Sequence, residues 1–141
     1  MSEVIHLHYD VDGSDFASAG NASVQVKRYL REIGLTPDIC RKVSIAMYEG
    51  EINMVIHADG GVADVYIDPE GVKIVLADTG PGIPDIDMVM REGYSTASPT
   101  VRNLGFGAGM GLPNMKRNSD EMRIDTVVGE GTTITMVVKL T

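Results

Sequence analysis

A carboxylate and an amide lie one helical turn apart in the stretch IAMYEGEINMVIHADG, which runs from Ile45 to Gly60 and predicts a helix. Because successive helical residues turn by about 100°, Glu49 and Asn53 lie about 40° apart on one stripe. Glu51 is about 160° from Asn53 and cannot share its ligand. An amide oxygen can ligate Mg²⁺ while a neighbouring carboxylate acts as a base. The alternative for this stripe is a polar helix face in contact with solvent.

A second acidic residue ends a strongly apolar segment and is followed by glycines at alternate positions. Asp78 precedes Gly80 and Gly82 in LADTGPGIPD. Such glycines let a backbone approach a flat ligand closely, and a carboxylate accepts a hydrogen bond from an amine. A strand that ends in a Gly-Pro turn would have the same pattern, so the motif alone leaves both interpretations open.

Four glycines alternate with apolar residues in NLGFGAGMGLPNM, immediately before a predicted helix. They are Gly105, Gly107, Gly109 and Gly111. Backbone amides that lead into a helix N-terminus bind anions such as phosphate. No strand is predicted before this segment, and it lacks Gly-Lys-Ser/Thr, so neither a Rossmann motif nor a P-loop fits. The alternative, an unstructured linker, fits poorly with the apolar residues between the glycines.

The elements around these motifs predict an α+β fold. A strand in VIHLHYDV is followed by a helix through FASAGNASVQVKRYLREIG, capped by Ser14 or Asp15, and by a second helix from Pro37 to about Ala58. GVADVYI, GVKIVLAD, EMRIDTVV and TTITMVVKL are predicted strands, and the last two form a hairpin around GEG. Further helices are expected at IDMVMREG and near Leu112. This order lacks regular β-α-β alternation and predicts a two-layer sandwich with a mixed, mostly antiparallel sheet backed by helices.

The bulk composition is that of a globular protein. The 141 residues are 43% hydrophobic and 23% charged, with a net charge of −8. Because nucleic-acid binding depends on clustered Lys and Arg, this charge argues against a nucleic-acid partner. Cys40 is the single cysteine, so no intrachain disulfide can form. The sequence has neither a signal-peptide pattern nor an apolar run of roughly 18 residues. We therefore expect a cytoplasmic protein without membrane contact, with a single domain over residues 1–141.

His6 and His8 lie two residues apart on one face of the first predicted strand. This spacing could serve a metal ion, but the sequence offers no evident third ligand. We therefore prefer an exposed or partner-facing edge as the interpretation of the two histidines.

Taken together and in this order, four motifs resemble those of the Bergerat-fold ATPases of the GHKL superfamily. EGEIN resembles the N box, DTGPGI the G1 box, GFGAGMGL the G2 box and GEGTT the final Gly-Thr block. The chain is most similar to the anti-sigma and switch-protein serine/threonine kinases of bacterial partner-switching systems, whose pattern also matches GYST and GMGLPNMKR. The resemblance covers nearly the whole chain.

The resemblance implies a site for ATP and Mg²⁺ between the sheet and a lid. Glu49 would be the catalytic base, Asn53 the Mg²⁺ ligand and Asp78 the acceptor for the adenine amino group. Thr132 would complete the adenine end through its hydroxyl or a water. The nucleotide-binding positions implied by the motifs are Asn53, Asp78, Gly80, Gly82, Ile83, Gly105, Gly107, Gly109, Met110, Gly111, Leu112 and Thr132.

Two features depart from the family pattern. Gly50 stands where relatives commonly carry Ala or another helix former, and glycine inside a helix costs roughly 1 kcal/mol relative to alanine. The lid, expected at about residues 93–111, is lengthened by the insert ASPTVRN at 97–103.

The function implied by the resemblance is that of an ATP-dependent serine/threonine protein kinase. Its partner would be a STAS-type anti-anti-sigma or scaffold protein, with a sigma factor as a second candidate. A nucleotide-gated module that sequesters its partner without catalysis is one alternative. A detached histidine-kinase ATPase domain is another. The sequence leaves open whether the protein is a monomer or a homodimer.

Overall fold

The computed structural model describes residues 4–12, 20–58, 60–80 and 111–140, in which helices cover one face of a sheet. The strands are β1 (Ile5–Asp12), β2 (Gly60–Ile67), β3 (Gly71–Asp78), β4 (Glu121–Val127) and β5 (Gly131–Lys139). The helices are α1 (Asn21–Glu32), α2 (Pro37–Ala58) and α3 (Gly111–Arg117). The predicted α+β class is therefore confirmed. None of the described helices is long and apolar enough to cross a membrane.

The sheet has the strand order β1-β2-β3-β5-β4, and every pairing between the described strands is antiparallel. Because residues directly opposite each other share a face, the register decides which side chains meet. Asp78 lies opposite Thr132, and Thr132 lies opposite Thr126. The sheet therefore brings these three side chains together where β3 ends and the β4–β5 hairpin turns.

The core lies between α2 and the sheet. Alternate residues of β2, β3 and β5 point toward the helices and are buried, as the period of two along a strand requires. Fully burying such a side chain contributes roughly 1.5–3 kcal/mol. This burial fixes α2 against the sheet and therefore fixes every side chain that α2 carries. The core residues on these elements include Val43, Met47, Met54, Val65, Ile74, Leu76, Met136 and Val138.

Helix α2 begins and runs as its sequence predicts. Thr36 caps it, since its hydroxyl accepts a hydrogen bond from the Ile39 N–H at 3.3 Å. Pro37 occupies the first helical position, where its missing N–H costs nothing. Asp38 lies in the first turn, where a negative charge is favourable. The predicted span from Pro37 to Ala58 is confirmed.

The prediction for α1 is right at its end and wrong at its beginning. Gly34 has φ 92° and follows the helix, as expected for a residue that stops it. Gly20 has φ 96°, a left-handed conformation that interrupts a right-handed helix, so α1 begins at Asn21. The predicted caps Ser14 and Asp15 lie outside the described residues, as does the predicted helix IDMVMREG.

The N-terminus of α1 is capped by a carboxylate that belongs to α2. The backbone N–H groups of Gly20, Ala22 and Ser23 donate to Glu51 at 3.1, 3.3 and 2.6 Å. Glu51 is only 2% exposed. Its carboxylate satisfies N–H groups that have no partner within their own helix. Glu51 therefore joins α1 to α2 on the side of α2 opposite Asn53.

On the outer face of the sheet, His6 and His8 share one carboxylate. His6 Nε2 and His8 Nδ1 each lie 2.7 Å from Asp64 Oδ1, and His8 Nε2 lies 3.3 Å from Asp10 Oδ1. These carboxylates raise the pKa of His8 above 6.5, with Asp64 contributing most. Within the part of the chain that the structure describes, no three His, Cys, Asp or Glu residues are arranged to hold a metal ion. The histidines are therefore explained by hydrogen bonds along the β1 edge.

Candidate active site

Helix α2 presents Glu49 and Asn53 one turn apart, and both side chains are half-buried. The helix is unbroken at both positions, so the predicted separation of about 40° applies. Neither side chain is fully exposed to solvent, and neither is fully buried in the core. A half-buried carboxylate and amide can contact a ligand while the surrounding protein fixes their position.

Glu49 lies against the beginning of α3. Asn114 Nδ2 donates to Glu49 Oε1 at 3.3 Å. A Cβ on Gly111 would lie 3.7 Å from Glu49 Oε2, so the α3 backbone begins within van der Waals reach of the second oxygen. The chain thus brings the end of the predicted phosphate-binding segment beside the predicted base. Sequence reasoning missed Asn114, although it lies inside the motif GMGLPNMKR.

Asp78 is held by two backbone N–H groups at the end of β3. Its Oδ1 accepts hydrogen bonds from Gly80 N at 2.9 Å and from Thr132 N at 3.2 Å. Both bonds fall on one oxygen, so they orient Oδ2 away from the Gly80 and Thr132 amides. Gly80 is therefore adjacent to Asp78 as predicted, and it contributes through its backbone.

Thr132 is 6% exposed, and its hydroxyl lies 2.9 Å from the hydroxyl of Thr126. Thr126 also donates to the Gly131 carbonyl at 3.3 Å. A hydroxyl can donate and accept at once, so this pairing leaves Thr132 able to contact a further group. Thr126 was not predicted as a site residue. Its only signal in the sequence is the hairpin register that places it opposite Thr132.

A cavity of about 400 Å³ lies where β3 meets the β4–β5 hairpin. Its size falls within the range of small-molecule sites. Two carboxylates, Asp125 and Glu130, line it beside Asp78, and this concentration of negative charge is unfavourable for phosphate. The cavity is therefore better suited to an uncharged base than to the phosphates of a nucleotide. Its lining comprises Asp78, Asp125, Thr126, Val127, Glu130, Gly131, Thr132 and Thr133.

Gly50 has a packing reason that the sequence does not reveal. A Cβ at this position would collide with Leu76 Cδ1 and would lie 3.5 Å from Met115 Sδ. Gly50 is buried, so a side chain at this position would require the Leu76 side chain to shift. The departure from the family pattern leaves the helix intact and lets α2 lie close to the Leu76 side chain of β3.

Leu112 lies in the hydrophobic core with 6% exposure. Any contact that it makes with a nucleotide must therefore come from its backbone. The other predicted glycine-loop positions and Ile83 lie outside the described residues, as does the predicted lid apart from Gly111. These positions are Gly82, Ile83, Gly105, Gly107, Gly109 and Met110.

The donor set on α2 fits a magnesium ion that arrives with a nucleotide. Mg²⁺ in nucleotide sites takes one or two protein oxygens and completes its octahedron with phosphate oxygens and water. Asn53 supplies an amide oxygen, and Glu49 supplies a carboxylate one turn away. This pair is too small a set to hold a metal ion without such additional ligands.

Known proteins resemble this chain in sequence and in fold. The serine/threonine-protein kinase RsbT of Bacillus subtilis is 38% identical over 97 residues, which cover 69% of this chain and 62% of the kinase. The chain thus spans less than two thirds of that relative's length. The anti-sigma F factor of Priestia megaterium is 29% identical over 127 residues, covering 85% of this chain and 83% of the factor.

A solved structure shares the fold. It contains the RsbU and RsbW domains of Rv1364c from Mycobacterium tuberculosis and superposes with a TM-score of 0.65. The match covers 95% of this chain and 32% of that one at 20% identity, so it supports the fold alone.

The sequence profile of the histidine kinase-like ATPase domain matches residues 14–138. This span contains α2 with Glu49 and Asn53, the end of β3 with Asp78, and the β4–β5 hairpin with Thr132. The chain therefore belongs to the family of histidine kinase-like ATPase domains.

Proposed function

We propose that the protein is an ATP-dependent serine/threonine kinase that phosphorylates a small STAS-type partner protein. The observation that carries the proposal is the placement of the Glu49 carboxylate at the beginning of α3, one helical turn from Asn53. The carboxylate proposed as proton acceptor therefore lies beside the end of the glycine-rich segment, one helical turn from the residue proposed as metal ligand. The similarity to a serine/threonine-protein kinase supports the same reaction class.

The adenine end of the proposed site lies where β3 ends and the β4–β5 hairpin turns. Asp78 Oδ1 is occupied by the Gly80 and Thr132 amides, so Oδ2 would accept the hydrogen bond from the adenine amino group. Thr132 would support the base through its hydroxyl or through a water. The phosphates would then extend toward α3 and away from the carboxylates Asp125 and Glu130.

In the proposed reaction, the hydroxyl oxygen of a partner Ser or Thr attacks the γ-phosphorus of ATP. The bond from that phosphorus to the β–γ bridging oxygen breaks, and ADP leaves. Glu49 takes the hydroxyl proton. Asn53 would hold Mg²⁺, which when bound neutralises charge on the phosphates. Most of the acceleration would come from positioning and charge neutralisation, as in other phosphoryl transfers.

A second candidate function is sequestration. The relatives named anti-sigma F factors favour a module that binds a sigma factor or a STAS-type protein under nucleotide control. Such a module needs the same nucleotide site but no proton acceptor. Retention of a carboxylate at Glu49, half-buried and hydrogen-bonded, favours the kinase.

The direct test is incubation with Mg-ATP and a candidate STAS-type partner protein from the same organism, followed by intact-mass measurement. We expect the partner to gain the mass of one phosphoryl group at a serine or threonine. Samples with EDTA or with a non-hydrolysable ATP analogue should show no gain. A nucleotide-dependent complex of the two proteins with unchanged masses would contradict the kinase and favour sequestration.

Asp78→Asn should weaken ATP binding by about tenfold to a hundredfold, the loss expected for one hydrogen bond to a charged group. Asparagine keeps an oxygen that accepts from the Gly80 and Thr132 amides. Its NH₂ would then face the adenine amino group, and two hydrogen-bond donors cannot bond each other. GTP, which carries an oxygen at the corresponding ring position, should lose much less. Isothermal titration calorimetry with both nucleotides measures the difference.

Asp125→Asn is the matched control for Asp78→Asn, because Asp125 is a second carboxylate that lines the same cavity, from β4 on the far side of β5. This variant should change the ATP and GTP affinities by less than about twofold. Equal losses for ATP and GTP in Asp78→Asn would show that Asp78 does not recognise the adenine amino group.

A further inference from the structure

We infer that Asn114 is a positioning residue for Glu49, which it holds by one carboxylate oxygen so that the other oxygen takes the proton of the partner hydroxyl. The inference rests on the proposed kinase function. It concerns a residue on α3 that lies 65 positions from Glu49 in the sequence.

The contact between Asn114 and Glu49 distinguishes the two carboxylate oxygens. Asn114 Nδ2 donates to Oε1 at 3.3 Å. This distance is at the long end for an N–H···O bond, as is common in sites without bound ligand. Oε2 lies on the side of Gly111, 3.7 Å from where a Cβ of that residue would stand. Among the described residues, Oε1 is the oxygen that accepts a hydrogen bond from a side-chain amide, so the two oxygens have different surroundings.

Arg117 fixes the orientation of the Asn114 amide. Arg117 Nη1 donates to Asn114 Oδ1 at 3.3 Å, which assigns the oxygen end of the amide to the cation. The nitrogen end must then point to Glu49, where it can only donate. The three side chains form a relay in which a cation and a carboxylate bind opposite ends of one amide.

The side chain of Asn114 is not needed to hold α3 in place. Leu112, Pro113 and Met115 are the buried residues of this helix, and Asn114 itself is half-buried. Asn118 and Ser119 bond to backbone carbonyls of α3, and those carbonyls survive a side-chain substitution. An isosteric change at Asn114 should therefore alter the base without unfolding the protein.

Asn114→Leu should lower kcat for phosphoryl transfer by about tenfold, the effect of one hydrogen bond to a charged group. The KM for ATP should change by less than about twofold, since Asn114 acts on the base and not on the nucleotide. Asn114→Gln keeps a donor on a longer side chain and should recover part of the loss. Asn118→Leu, which removes an amide that bonds only a backbone carbonyl, is the matched control and should leave kcat unchanged.

A double-variant cycle separates positioning from a structural effect. If Asn114 acts through the carboxylate, Asn114→Leu should cause no further loss in a Glu49→Gln background. Independent, additive losses would overturn the inference. So would a loss in Asn118→Leu equal to that in Asn114→Leu, or a change confined to KM.

The contact itself can be tested without any kinase assay. In NMR spectra, the side-chain amide protons of Asn114 should shift when Glu49 is replaced by glutamine, and those of Asn118 should not. Absence of a shift at Asn114 would overturn the inference whether or not the protein transfers phosphoryl groups. A shift at Asn114 in a protein that transfers none to its partner would instead count against the proposed kinase.

Discussion

Replacement of Glu49 by glutamine is expected to lower the rate of phosphoryl transfer to the partner by about two to four orders of magnitude, the usual contribution of a positioned general base. Glutamine is nearly isosteric with glutamate. It retains an oxygen that can accept the hydrogen bond from Asn114 Nδ2. It leaves Asn53 on the same helix stripe to bind Mg²⁺. The variant therefore removes the proton acceptor and little else, and single-turnover phosphorylation of the partner measures the loss.

Nucleotide affinity distinguishes a lost base from a damaged site. Because a general base acts mainly in the transition state, calorimetric titration of Glu49→Gln with Mg-ATP should give nearly the parent dissociation constant. Glu121→Gln is a suitable control, since Glu121 is an exposed carboxylate at the beginning of β4. It should transfer phosphoryl groups at the parent rate.

Full transfer activity in Glu49→Gln would contradict the assignment of Glu49 as the base. Phosphoryl transfer through a loose transition state needs little proton removal early in the reaction. In that case Glu49 would orient the metal ion or a water, and Asn114 would hold Glu49 in position.

Local sequence patterns were enough to predict the elements that carry the site. The strands follow from alternation, and α2 follows from Pro37 and the apolar run that ends near Ala58. Each of these signals acts within a few residues, where backbone geometry and capping decide the conformation. The spacing of Glu49 and Asn53 is likewise a local property of one helix.

Contacts between distant segments could not be predicted in this way. Asn114 meets Glu49 only because α3 packs against α2, and Thr126 meets Thr132 only through the β4–β5 register. Gly50 was expected to weaken α2, and the structure shows that its missing side chain also makes room for Leu76 on β3. In each case the contacting residue lies on another helix or strand, so the sequence pattern of a single element cannot predict the contact.

The contact of Glu51 with α1 is a further contact between distant segments that the sequence did not predict. The helical wheel predicts correctly that Glu51 lies on the side of α2 opposite Asn53, but it cannot say what Glu51 contacts there. The structure supplies the answer in three N–H groups at the beginning of α1. A buried carboxylate with these partners connects α1 to the helix that carries both proposed catalytic groups.

Glu51→Ala should lower the free energy of unfolding by about 3 kcal/mol, because it leaves buried N–H donors of α1 without an acceptor. This loss corresponds to roughly 150-fold in the folding equilibrium constant. Glu51→Gln retains one acceptor oxygen and should lose less. Glu32→Ala, at an exposed glutamate on the last turn of α1, should change stability by less than about 0.5 kcal/mol. Urea unfolding followed by circular dichroism compares the variants.

The stability lost in Glu51→Ala should also depend on pH. The burial of Glu51 determines whether this loss is greater in acid or at neutral pH. Burial raises the pKa of this carboxyl above 4.5, and the N–H groups of Ser23, Ala22 and Gly20 oppose that rise. For an acid with a raised pKa in the folded state, the stabilising contribution is complete below pH 4.5 and is lost as pH rises through the folded-state pKa. The difference in stability between the parent and Glu51→Ala should therefore be greatest in acid and decrease toward neutral pH. A difference that grows with pH would show that the α1 N–H groups stabilise the anion more than burial destabilises it.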